Sequence, residues 1–263
     1  MTVTRTYYSG DLGQVHARVA GDPKNPTLLL LHQVPSTSEM FEAIMLPLGE
    51  HFYCIAPDMP GFGMSPKIAE CTVSAFSVHL WGALAQVVRT PMHIVGHHTG
   101  TALAVEIAVR YPEAVKSLAL SGPALLSDEM KAILPSKAAP IPQQDDGGHV
   151  DIMWQRIRGK DDSVHPDVTS REVKSALEIG DLYLDTYNAV IDYPFEEKLR
   201  EISPPSLVFA GTEDVLHYAV DPTFSAIKNA KKQELKGLGG YLFDTHPNEV
   251  AELLLDFYKG LEG

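Results

Sequence analysis

Thr27-Leu28-Leu29-Leu30-Leu31 is apolar without alternation and stops at a polar loop. A strand of this kind is covered on both faces, as in a parallel sheet with helices on each side. Similar short runs recur at Phe52–Ala56, His93–Gly96, Ser117–Ser121 and Ser206–Ala210, each followed by turn residues and a stretch of helical period. This alternation predicts an α/β fold with a mostly parallel sheet. Upstream, Tyr7–Ser9 and Gln14–Val19 flank a glycine-containing turn and predict an antiparallel opening hairpin. The rhythm breaks between Gly122 and Pro205. Pro123, Pro135, Pro140 and Pro142, the polar Gln143–Gly148 segment, and amphipathic runs around Ile152–Ile157 and Val173–Ile191 fill that stretch. It reads as a helical insertion seated over the sheet. The expected division is a core of residues 1–122 and 205–263 carrying a cap of residues 123–204.

Charge and composition narrow the partners. The 263 residues hold 34 acidic and 21 basic side chains, a net charge of −13, which disfavours nucleic acid and anionic membranes. No apolar run approaches the roughly 20 residues of a membrane span. The N-terminal residues lack the basic, apolar and small-residue succession of a secretory signal. Cys54 and Cys71, the two cysteines, form neither a disulfide framework nor a paired metal motif, so the simplest setting is cytoplasmic and reduced. Gly61-Phe62-Gly63 lacks the third glycine and the strand-to-helix placement of a dinucleotide site, and no organic cofactor is expected. A small-molecule substrate is the expected partner. Oligomeric state leaves no mark in the pattern.

The segment His93-Ile94-Val95-Gly96-His97-His98-Thr99-Gly100-Thr101-Ala102 reads as strand, sharp turn and helix. Glycines two before and two after His98 permit the tight turn and a close approach of the helix to the strand. His98 is then expected to stand at the tip, above the carboxyl edge of the sheet. In this the chain resembles the α/β-hydrolases, whose nucleophile elbow follows the pattern G-x-nucleophile-x-G. Three further landmarks carry the resemblance. His32 and Gln33 match the loop that supplies an oxyanion-hole amide, Asp58-Met59-Pro60-Gly61-Phe62-Gly63-Met64-Ser65 matches the D-x-P-G-x-G-x-S turn, and Gly211-Thr212-Glu213-Asp214 matches the loop of the catalytic acid. Pro247–Gly260 resembles the closing helix. The resemblance implies an α/β-hydrolase fold with its site between the cap and the strand ends.

Two triad positions depart from the family. His98 stands where relatives carry Ser or Asp, and Gly240 aligns with the catalytic histidine, which leaves only the acid, Asp214. The serine-hydrolase route through an acyl-enzyme cannot be run by these side chains. The two changes make sense together, since an imidazole at the elbow projects into space the usual histidine fills, and a glycine opposite removes the clash. Asp214, directly or through a water in the gap, would orient the ring and stabilise charge on it. Amides near Thr99 and Gln33 would hold an oxyanion. The expected function is a cofactor-independent enzyme acting on a small carbonyl compound: ester, lactone or C–C bond hydrolysis, or related lyase chemistry. His98 would be general acid/base or nucleophile. The alternative is a catalytically silent relative that binds a small apolar ligand.

Other residues enter as candidates. His32 and Gln33 are placed at the oxyanion or substrate side, with the Gln33 amide a further donor. His217, three beyond Asp214, is a substitute base if it points into the pocket, and Trp154 is the expected aromatic wall of the cap. His32, His97 and His98 suggest a zinc cluster on residue type alone, but successive residues of a tight turn diverge, and no metal is expected.

Overall fold

The computed structural model describes residues 1–10 and 13–261. Its strands are β1 (Thr4–Gly10), β2 (Gly13–Ala20), β3 (Thr27–Leu31), β4 (Tyr53–Pro57), β5 (Met92–His97), β6 (Val115–Ser121), β7 (Ser206–Gly211) and β8 (Ala230–Leu235). They form one sheet in the order β1-β2-β4-β3-β5-β6-β7-β8, with β1 and β2 antiparallel to their neighbours and the others parallel. The opening hairpin is present, pairing Gly10 with Gly13. Residues 11 and 12 of its turn lie outside the described residues.

Side chains alternate across the sheet as the strand period requires. Leu29, Leu31, Ile55 and Ile94 join the core on one face, and Leu28, Leu30, Cys54, Ala56 and Val95 join the core on the other. The first face is covered by α2 (Val73–Leu84) and α3 (Thr99–Arg110), and the second by α1 (Glu42–Leu48) and, at the end of the chain, Pro247–Lys259. Between β6 and β7 run α4 (Asp128–Lys137), α5 (Gly148–Arg158), α6 (Pro166–Ile179), α7 (Leu182–Asp192) and α8 (Phe195–Glu201). Met153, Ile157, Val173, Ile179 and Tyr183 from these helices belong to the same apolar cluster as the first face. Among the described residues no helix is long and apolar enough to cross a membrane.

β8 carries no apolar signature. Lys231, Lys232, Gln233 and Glu234 are all exposed, and the strand is held by its ladder to β7. Charged residues on an edge strand also discourage pairing with other chains. Because its pattern is that of a solvated loop, hydrophobic periodicity does not reveal it.

Register builds the site. Gly96 lies beside Leu31 and Leu120, His97 beside Ser121, and Ser121 beside Phe209, so the carboxyl ends of β5, β6 and β7 stand in a row. The loops that leave them therefore begin side by side at His98, Gly122 and Thr212. Asp58, just past β4, ties the neighbouring loops together. Its carboxylate accepts from the amides of Ser38 and Met64 and meets His16 Nδ1 at 2.7 Å. Burial pushes this carboxyl up, but the bond to His16, the nearby His32 and the two turns outweigh it and hold it well below the usual carboxylate range.

His93, buried on β5, is enclosed by Phe52 and Tyr258 and bonds Ser117 Oγ at 2.7 Å. Burial, then the charge of Lys116, lowers its pKa to about 4. An unfolded chain takes up this proton near pH 6.5, before the folded one does, so protons favour the unfolded state in that interval. Unfolding free energy from urea titrations is expected to fall by roughly 2–3 kcal/mol through this group between pH 6.5 and 4. His93→Gln should flatten that part of the profile, and an unchanged slope would refute the assignment.

Candidate active site

The chain reverses at His98, whose φ of 46° and ψ of −114° make it the non-glycine residue with positive φ among those described. Such a conformation costs about 1–3 kcal/mol and persists only where its surroundings impose it. They do so here through close packing. A Cβ on Gly96 would lie 2.4 Å from the Gly100 carbonyl oxygen, and one on Gly100 would lie 2.0 Å from that of Leu31. The His98 amide donates to Ser121 O at 2.9 Å, while its carbonyl accepts from the Thr101 amide at 2.8 Å and hydroxyl at 2.6 Å. The tip is therefore held from both sides.

The His98 ring reaches Asp214 directly. Nε2 lies 2.8 Å from Oδ2 and 3.1 Å from Oδ1, and Oδ1 also accepts from the Leu216 amide at 2.8 Å. Burial raises the Asp214 pKa, but the charge and hydrogen bond of His98, with His97 and the Leu216 amide, bring it down to about 2. An ionised carboxylate only accepts, so Nε2 carries the hydrogen. Nδ1 of a neutral ring is then the lone-pair nitrogen. It has no hydrogen-bond partner among the described residues, and His98 lines the cavity.

His97 packs beneath, its ring centroid 4.1 Å from that of His98. Burial, then the charge of His98, lowers the His97 pKa to about 3, and the ring is neutral at physiological pH. Its Nε2 donates to the Gly240 carbonyl at 2.8 Å, and Nδ1 accepts from Ser121 Oγ at 3.0 Å. The donor side is fixed because a carbonyl can only accept. His97 thus pins the loop that faces His98.

The glycine expected to clear space for the imidazole is a milder constraint than the sequence suggests. A Cβ on Gly240 would meet His98 Cε1 at 3.4 Å, an ordinary contact. The demanding position is Gly122, with φ of 53°, where a Cβ would lie 2.5 Å from His98 Cδ2 and 2.9 Å from Asp214 Oδ2. Gly122 is 24 residues from His98 in the chain, and only strand register makes them neighbours.

A cavity of about 320 Å³ opens over His98 between the strand ends and the helices that follow β6. Gln33 and Thr99 line it as expected. Gln33 Nε2 is buried without a hydrogen-bond partner among the described residues, and the Thr99 amide sits at the first residue of α3, where the helix provides no acceptor. Three candidates are corrected. The His32 ring is fully buried and spent on backbone, with Nδ1 bonding Gln33 O at 2.8 Å and Nε2 accepting from the Met59 amide at 2.9 Å. His217 turns away, its Nε2 3.2 Å from Glu234 on β8, because the 3₁₀ turn after Asp214 carries it to the sheet edge. Trp154 packs half-buried against the core, while Gln155, Arg156 and Lys160 of the same region line the cavity. With the nitrogens of His32 and His97 engaged in this way, the three histidines do not converge on a metal.

Sequence reasoning passed over Lys160 and Tyr241, which line the cavity together with Tyr187. Lys160 lies just past α5, Tyr187 lies on α7, and Tyr241 follows Gly240. None carries a motif. Tyr241 had a usable signal in its place beside the aligned triad position.

Residues 26–144 match the family described as alpha/beta hydrolase fold. The chain is 31% identical over 110 residues to the 2-(acetamidomethylene)succinate hydrolase of Mesorhizobium japonicum, spanning 41% of this chain and 39% of that protein. It is 26% identical over 193 residues to the (E)-2-((N-methylformamido)methylene)succinate hydrolase of Acinetobacter baylyi, spanning 71% and 72% respectively. Its fold superposes on that of the enol-lactonase from Burkholderia xenovorans LB400 with a TM-score of 0.83 at 18% identity, over 97% of this chain and 100% of that one. The chain is an α/β-hydrolase-fold protein, and the relatives named here are hydrolases.

The two glycines should respond differently to an added methyl. Gly122→Ala combines strained φ with overlap on the ring and is expected to cost about 2–4 kcal/mol and displace His98 from Asp214. Gly240→Ala should stay within about 1 kcal/mol. Thermal unfolding and the downfield proton resonance of His98 Nε2–H would check both. Equal responses would remove Gly122 from the site's construction.

Proposed function

We propose that the protein is a cofactor-independent hydrolase of small carbonyl compounds in which His98 acts as general base on a water molecule. The observation that carries this reading is the His98–Asp214 pair, with Nε2–H committed to an ionised carboxylate and Nδ1 left for the cavity. A base with one nitrogen held by a buried acid and the other free is the arrangement that general-base catalysis requires.

In this mechanism Nδ1 takes a proton from water as the oxygen attacks the carbonyl carbon. The imidazolium is stabilised by Asp214, and the developing oxyanion by amides near Thr99 and Gln33. The tetrahedral intermediate collapses as Nδ1–H returns the proton to the leaving oxygen or carbon. Acid and alcohol, or the two fragments of a C–C bond, are released with the ring neutral again. Lyase chemistry would use the same nitrogen without the water. The hydrolase names of the relatives, two of them acting on amidomethylene succinates and one on an enol-lactone, support a compact carbonyl substrate. The cavity volume falls at the lower end of small-molecule sites.

A panel of small esters, lactones and vinylogous 1,5-diketones tests the reading. Wild type should turn over at least one class, and His98→Gln should lower kcat by about 10²–10⁴-fold, the range for loss of a general base. Asp214→Asn, which leaves Nε2 facing an amide, should also fall. Equal rates in wild type and His98→Gln would overturn the mechanism. Ligand-induced thermal stabilisation without product across the panel would instead indicate a silent binding protein.

A further inference from the structure

The wall of the cavity is largely apolar, with Leu126, Leu134 and Val190 among its residues, but it is not uniform. Lys160 Nζ lies 3.5 Å from Tyr187 Oη and 5.7 Å from the centroid of the Tyr183 ring. Tyr241 lines the same cavity, is 2% exposed, and its hydroxyl has no hydrogen-bond partner among the described residues. Among the described residues the groups around the Lys160 ammonium are the tyrosines Tyr183, Tyr187 and Tyr241, and no acidic side chain pairs with it. Asp161, its neighbour, spends Oδ1 on the amide and hydroxyl of Ser163. Arg156, also on the wall, donates to Ala139 O at 2.7 Å.

An ammonium withdrawn from bulk water without a carboxylate partner is costly, and an unbonded buried phenol adds to the cost. Both deficits are met by one ligand group. An anion placed beside Nζ accepts from the ammonium and from the Tyr241 hydroxyl, which has a hydrogen to donate and no hydrogen-bond partner among the described residues. Resting on the hydrolase reading of the same cavity, we infer that Lys160 and Tyr241, with Tyr187 beside them, form a subsite for a carboxylate on the substrate, remote from the carbonyl presented to His98. The substrate class is then a carboxylate-bearing ester, lactone or ketone rather than a neutral one. The long-range field of a protein with net charge −13 does not assist such a ligand, so its selection falls to these local donors.

Two arms separate this inference from the hydrolase reading. The first uses p-nitrophenyl hemiglutarate and its methyl ester. Wild type should prefer the acid by at least about tenfold in kcat/KM, with the difference mainly in KM, and Lys160→Met should bring the ratio near one. Lys160→Arg should restore part of it, and Tyr241→Phe should lower it several-fold. The second arm needs no turnover: glutarate should raise the melting temperature of wild type and of His98→Gln, and not that of Lys160→Met. Should Lys160→Met fail to fold, Tyr241→Phe carries both arms. Glutarate binding without hydrolysis by wild type would keep the subsite and overturn the hydrolase. Hydrolysis without acid preference, or no glutarate stabilisation of wild type, would overturn the subsite.

Discussion

The hydrogen bond from His98 Nε2 to Asp214 sets the rest of the site. In a serine triad the acid holds one imidazole nitrogen and the other takes a proton from the hydroxyl. Here the imidazole has moved onto the elbow itself, and the acid reaches it there. Acid and base keep their relation to each other, while the hydroxyl disappears. On the proposed reading such a dyad keeps proton transfer and takes its nucleophile from outside the chain. The residues around it follow from that placement. Gly122 has no side chain because the ring edge lies where its Cβ would be, and Gly240 lies across the other edge.

Charge in this cluster is arranged with little redundancy. His97 and His98 stack at 4.1 Å, and two imidazolium ions at that distance in a buried site would repel strongly. Burial keeps His97 neutral and fixes its hydrogen on Nε2 by the carbonyl it meets. A positive charge on His98 therefore has the Asp214 carboxylate as its neighbour and no competing cation beneath it. His97 serves as a dipolar support, holding the Gly240 backbone while leaving Asp214 to its partner above.

How far this was legible in the chain depended on whether a feature is local. The parallel sheet followed from consecutive apolar residues such as Leu28–Leu31, and the elbow from two glycines flanking His98 within five residues. Asp214 followed from the turn after β7. Gly122, by contrast, matters because β5 and β6 lie in register, a relation no spacing along the chain expresses. Lys160 follows a helix whose apolar face is turned to the core, so its direction depends on how α5 sits over the sheet. Trp154 was misjudged for the same reason, since size and apolarity suit a core as well as a pocket. His217 and His32 were judged by residue type. Folding carries the His217 ring to the sheet edge beside Glu234 and commits both nitrogens of His32 to backbone groups. β8 escaped notice because an edge strand with four exposed polar residues owes its form to a neighbour's ladder.

The same inventory of engaged nitrogens bears on whether His98 attacks the carbonyl itself. An acyl group on Nδ1 would occupy the lone pair that has to activate water in the second half of the reaction. Release would then require a second base within the cavity. Among the described residues no second histidine offers a free nitrogen to the cavity: His32 is spent on the Met59 amide and Gln33 carbonyl, His97 on Ser121 and Gly240, and His217 lies outside the cavity lining, its Nε2 3.2 Å from Glu234. Asp214 is covered by the ring it serves, which leaves Asp161, on the cavity wall with Oδ1 bound to Ser163, as the carboxylate such a route would have to recruit. A covalent route therefore asks a second residue to activate water. On the proposed reading, a route in which Nδ1 takes a proton from water and returns it to the leaving group needs no second base, which favours it over the covalent one.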